Sequence, residues 1–143
     1  MPKASIAITF AQLRVGDVAG FAQKFSPKMV AGFAKLSGNY NPLHTDPVFA
    51  AKTEFKKPIA YGMQAGALFS RLLGMYLPGK YGICLSQTLS FHKPIYFNTK
   101  VSVEGKVLQK VESLHLAKIE TKIFNSADNE LLVSGEALVK LLK

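Results

Sequence analysis

The chain is poor in cysteine. Its single Cys84 lies in the alternating apolar stretch YGICLSQTLSF, which excludes a disulfide framework and leaves a cysteine-based metal site without partners. A reducing cytoplasm fits that usage. Long apolar runs are also missing. The longest apolar segment, residues 59–77, is broken by Gln64, Ser70 and Arg71, and the opening MPKASIAITF has one lysine and too short an apolar core for a signal peptide. A soluble cytoplasmic protein with no membrane partner is therefore expected. Internal repeats, linkers and low-complexity segments are absent too. With 143 residues, 48% of them hydrophobic and 19% charged, the expectation is one domain over 1–143 with a proper core. Acidic residues are scarce, nine against eighteen Lys and Arg, and the formal charge of +9 favours an anionic partner. The basic residues are scattered, however, with no arginine-rich run, recognition-helix pattern or aromatic motif of the kind nucleic-acid modules carry. No nucleic-acid partner is expected, and a small polyanion or an acidic carrier protein ranks above DNA or RNA. A basic, soluble surface with no specific partner is the plainer alternative.

What is present begins with helix signals. In FSPKMVAGFAKLSG, Ser26 suits the N-cap, Pro27 the first helical position and Gly38 the exit, and Met29, Val30, Phe33 and Leu36 share a face. DPVFAAKT, with Asp46 as cap, predicts one further short helix. The segment IAYGMQAGALFSRLLGMYL reads as a long helix ended by PGKYG. It is apolar almost all the way round, so it is expected to be wrapped by other structure.

After Tyr81 the pattern changes to alternation. Ile83 to Phe91, Val101 to Val107, Ile119 to Ile123 and Leu131 to Val139 predict four strands, with NSADNE as a turn between the last two. Short connections make such strands antiparallel, and one all-round apolar helix beside them predicts an α+β fold in which the sheet curls around the helix.

The chemistry concentrates in LSGNYNPLH, residues 36–44, where a helix stop is followed by Asn39, Asn41, Pro42 and His44. Gly, Asn and Pro are ordinary turn residues, so a solvated loop accounts for all but the histidine. His44 and Asp46 make a poor metal pair, since no third ligand follows. His92 and His115 sit in strand patterns and are assigned no role. At Gly62, the start of the long helix, an unpaired backbone N–H meets the positive end of the helix dipole and suits an oxyanion. A glycine needed only for close packing is an equal alternative.

The order of elements, together with SGNYNPLHTDPVFA, PIAYGMQAGALFSRLLG, LPGK and LSQTLSFHKPI, resembles the (R)-specific enoyl-CoA hydratases of the MaoC-like family, whose fold is called a hot dog. The likeness runs from about Phe25 to the C-terminus. It implies syn addition of water to a trans-2-enoyl thioester of coenzyme A or acyl carrier protein, in a homodimer, with no metal or redox cofactor. In that family the loop reads S/G-D-x-N-P-x-H, and its aspartate and histidine hold a water above the alkene. By resemblance, Asn39 and His44 occupy those catalytic positions, Gly62 supplies an oxyanion donor, and Ser70 hydrogen-bonds near the Asn39 side chain. On the residues alone, Ser70 reads as a serine bonded back to its own helix, and it is the match of the whole helix motif that favours the functional role.

The departure is Asn39, whose neutral amide cannot take a proton from water near pH 7. Three explanations stand together: an isosteric substitution made to remove a base, a natural non-catalytic subunit that binds acyl thioesters or an active partner, or chemistry carried by His44 alone. Tyr61 stands where many relatives of this kind have histidine, and no role is read for it. Thioester hydrolysis is a poorer reading, because the loop pattern belongs to hydration and no acidic residue is placed for hydrolysis.

Overall fold

The computed structural model describes residues 3–143. Ser26 opens α1 (Pro27–Ser37): its hydroxyl accepts from the Met29 N–H, Pro27 takes the first turn, and Gly38 closes the helix at φ 75°. The buried stripe of α1 is Val30 and Ala34, flanked by half-buried Met29 and Phe33. Leu36, expected on that face, is 83% exposed. At about 100° per residue it lies on the far side of the helix from Ala34.

The loop then makes two short helices where the sequence predicts one. In α2 (Pro42–Thr45), Asn41 Oδ1 caps the Leu43 N–H at 2.9 Å, and in α3 (Pro47–Ala51), Asp46 Oδ1 caps the Val48 N–H at 2.9 Å. The long helix α4 (Gly62–Met75) is shorter than residues 59–77. Its approach is extended, because Ile59 bridges Tyr96 and the Ala60 N–H donates to the Ile95 carbonyl. Gln64, Ala65, Leu68, Phe69, Leu72 and Leu73 of α4 are buried. Within one chain, however, α4 is not wrapped: Met63, Ala67, Ser70 and Gly74 recur at intervals of three and four and stay exposed.

The strands are β1 (Val18–Lys24), β2 (Gly82–Gln87), β3 (Ser90–Phe91), β4 (Lys100–Val111), β5 (Leu116–Asn125) and β6 (Leu131–Leu141). They form one antiparallel sheet in the order β1-β4-β5-β6-β2, with β3 also paired to β6. Its inner face carries Val101, Val103, Val107, Ile119, Ile123, Val133, Ala137 and Val139, all buried, and α4 lies against β1, β2 and β4. Two features differ from the expectation. Strand β1, which alternates weakly and is built partly of Ala and Gly, is added at one edge. The stretch 83–91 is not one strand but β2 and β3, interrupted by a bulge at Cys84/Ser86 and by Thr88 and Leu89. Moreover, Ile83 and Leu85 of β2 are exposed, because β2 is the opposite edge and turns these residues away from the core.

Helix and sheet approach closely at Gly105 in β4. A Cβ there would stand 2.9 Å from Leu72 Cδ2 and 3.4 Å from Leu77 Cδ2, so the missing side chain is what admits Leu72, itself 0% exposed. Leu72→Ala is accordingly expected to destabilise the fold by about 2–5 kcal/mol, read as a lower urea midpoint at unchanged slope.

Candidate functional site

A cavity of about 460 Å³ opens where α2, the start of α4 and strand β3 converge, lined by His44, Tyr61, Gly62, Phe91, Ile95 and Val133 among others. Its size suits a small-molecule site and its walls are mainly apolar. The caps described above explain how His44 reaches it. Asn39 Oδ1 accepts from the Asn41 N–H at 3.0 Å, Asn41 in turn caps α2, and the single turn of α2 carries His44. The loop's asparagines thus form a chain of side-chain turns leading to the imidazole.

The imidazole is held from behind. His44 Nδ1 lies 2.6 Å from the Ile59 carbonyl oxygen, which can only accept, so Nδ1 carries the hydrogen. Nε2 is then the ring nitrogen left for a molecule in the cavity. The ring also stacks on Tyr61, with centroids 4.0 Å apart and planes 30° apart. Tyr61 also packs against Phe33 of α1, with centroids 5.0 Å apart, and its hydroxyl donates a hydrogen bond to the Asn39 carbonyl. Burial, and after it the neighbouring Tyr40, pushes the Tyr61 phenol above its ordinary pKa. It therefore stays protonated, a donor and not a base, near neutral pH.

Gly62 is the first residue of α4, so its N–H has no partner within the helix. The Phe91 ring lies across it: a Cβ built at Gly62 would stand 2.9 Å from Phe91 Cε1. A side chain here would compete with that ring for the mouth of the cavity.

Of the four residues singled out in the sequence, His44 and Gly62 line this cavity. Asn39 is exposed on the loop, joined to the cavity through its backbone bond to Tyr61 and through Asn41. Ser70 lies elsewhere. Eight residues along α4 from Gly62, about 12 Å at the helical rise, it lines a smaller recess with Gly66, Leu73 and Gln87, and within the chain it does not meet Asn39.

Sequence reasoning left out Ile59 and Phe91 and read no role for Tyr61. The Ile59 contribution is a backbone carbonyl, which no side-chain pattern announces, whereas Tyr61 could have been found as a buried phenol beside the helix start that needs a hydrogen-bond acceptor. His92 and Lys93 also reach the cavity wall. His92 Nε2 is 2.7 Å from Ser134 Oγ, and Lys93 makes an exposed ion pair of 3.5 Å with Glu130, an arrangement that contributes little stability.

The curved antiparallel sheet over α4, with an N-P-x-H loop at its mouth, defines a hot-dog fold with a hydratase-type loop. The chain belongs to the MaoC-like domain family, whose pattern it matches over residues 7–128. It is 46% identical over 129 residues to an (R)-specific enoyl-CoA hydratase of Aeromonas caviae, covering 90% of this chain and 96% of that one. It is 35% identical over 134 residues to a 3-hydroxybutyryl-CoA dehydratase of Methylorubrum extorquens, covering 94% and 84% respectively. Among solved structures, the A. caviae (R)-hydratase superposes with a TM-score of 0.86 over 90% of this chain and 97% of that one. The unliganded R-hydratase PhaJ1 of Pseudomonas aeruginosa, 37% identical, gives 0.89 over 94% and 86%.

Proposed function

We propose that this chain is a hydro-lyase that adds water to trans-2-enoyl-CoA, giving the (R)-3-hydroxyacyl thioester, or runs the reverse dehydration, at a rate limited by Asn39. The observation that carries the reading is that His44, whose Nδ1 is held by the Ile59 carbonyl, and Gly62, the first residue of α4, line one cavity. Hydration places the water oxygen on C3 and a proton on C2 of the enoyl chain, with negative charge building on the thioester oxygen between the two events. An N–H aimed at that oxygen is typically worth about 3–4 kcal/mol. His44 accepts a proton from the water at Nε2 as the oxygen bonds C3 and returns that proton to C2, while its Nδ1–H stays on Ile59. Position 39 is where a carboxylate would take the water's proton, and the amide of Asn39 can hold water without doing so. That neutrality also favours a second reading, a silent subunit that binds acyl thioesters or an active partner subunit. Coenzyme A and acyl carrier protein are both open as thioester carriers, since relatives named for each are at hand: a mitochondrial 3-hydroxyacyl-[acyl-carrier-protein] dehydratase of Arabidopsis thaliana is 31% identical over 127 residues, 87% of this chain and 75% of its own length. Loss of enoyl absorbance on mixing with crotonyl-CoA tests the enzyme reading. Slow loss supports it, and saturable binding without any loss supports the silent subunit.

The same proposal extends to a homodimer. Edge strand β2 carries exposed Ile83 and Leu85, and the open face of α4 beside it carries Met63, 64% exposed. Pairing two β2 edges would cover these side chains and satisfy the edge. Light scattering at micromolar concentration is expected to give twice the chain mass, and a stable monomer would count against the dimer. Among the described residues no helix is long and apolar enough to cross a membrane.

A further inference from the structure

Tyr61 touches both halves of the water-holding pair without belonging to it. Its ring face lies on the His44 imidazole and its hydroxyl bonds the carbonyl of Asn39, 22 residues earlier in the chain. The residues around it continue the pattern: Ile59 holds His44 Nδ1, and Gly62 presents the first N–H of α4. Residues 59–62 are themselves anchored, through the Ala60 N–H on the Ile95 carbonyl and the Ile59–Tyr96 bridge. The loop that bears Asn39 and His44 is, by contrast, exposed over residues 38–42 and tied down mostly by its own turns.

We propose that Tyr61 is a positioning residue that sets the spacing between position 39 and the His44 ring by fastening both to the anchored segment 59–62. The proposal rests on the hydratase reading and names how that site is kept in register. The chemistry requires such a device, because a water shared by two groups and aimed at C3 tolerates little error in their separation. A general-base role for Tyr61 itself is excluded by its phenol, which is buried, committed as a donor to Asn39 and harder to ionise than an ordinary tyrosine.

Tyr61→Phe tests this, made in the Asn39→Asp protein so that turnover is easily measured. The substitution keeps the stack on His44 and removes the hydroxyl. The expected result is a fall in kcat for crotonyl-CoA of about tenfold or more with KM within twofold, together with faster amide hydrogen exchange confined to residues 37–44. Exchange unchanged in that stretch would overturn the proposal, as would a Phe variant as fast as its parent. A loss of rate that merely follows the folded fraction by circular dichroism, with KM and kcat of the folded protein intact, would make Tyr61 a packing residue and overturn it equally. A parent that does not hydrate crotonyl-CoA at all would overturn the hydratase reading and Tyr61's role with it, a result distinct from an active parent insensitive to the hydroxyl.

Discussion

Asn39→Asp is expected to hydrate crotonyl-CoA at least ~10²-fold faster than the unaltered chain, the lower end of what a positioned general base contributes. The change alters charge and almost nothing else. Aspartate keeps the shape of asparagine, so one carboxylate oxygen can continue to accept from the Asn41 N–H, now 3.0 Å from Asn39 Oδ1, and the path of turns to His44 is preserved. The second oxygen replaces an amide NH₂ that can only donate, and it can take a proton from water. Position 39 is exposed, so the new charge carries no burial penalty. Substrate affinity should stay within a few-fold. An unaltered chain already fully active, with no gain from aspartate, would mean that His44 suffices as base. No activity in either protein would favour the silent subunit.

His44→Ala in the Asn39→Asp background is expected to remove turnover, by at least ~10²-fold, because Nε2 is the remaining partner of the water. A histidine with a purely chemical role would cost no more than about 1 kcal/mol of stability on removal. The geometry raises that figure. Alanine forfeits the 2.6 Å bond to the Ile59 carbonyl and the stack on Tyr61, so about 1–2 kcal/mol of stability should be lost as well. Urea unfolding measures the second quantity and enoyl absorbance the first. If the variant unfolds while its folded fraction keeps its specific activity, His44 is a structural histidine and the site assignment fails.

The parts of this molecule that could be read in advance are those governed by local rules. Ser26, Pro27 and Gly38 bound α1 as their chemistry requires, and the valines and isoleucines of β4, β5 and β6 alternate because one face of each strand is turned into the core that α4 shares. Edges were harder. Strand β1 pairs only with β4 and offers Ala19, Phe21 and Gln23 to the inner side, a pattern too weak to announce a strand. Strand β2 misleads in the other direction, since Ile83 and Leu85 look like core residues yet face outward on a single chain. At the site, the loop motif pointed to His44 and the helix start pointed to Gly62. What holds them in register was hidden, because a backbone carbonyl at Ile59 and a hydrogen bond from Tyr61 across 22 residues leave no periodic trace.

A hydratase site formed by the loop and the start of α4 is distinguished by its product. The Asn39→Asp protein is incubated with crotonyl-CoA, and the acyl group is then released chemically and its configuration determined by chiral chromatography. The expected product is (R)-3-hydroxybutyrate, with the thioester intact until that release. The (S) product, or free crotonate liberated by the protein itself, would contradict it.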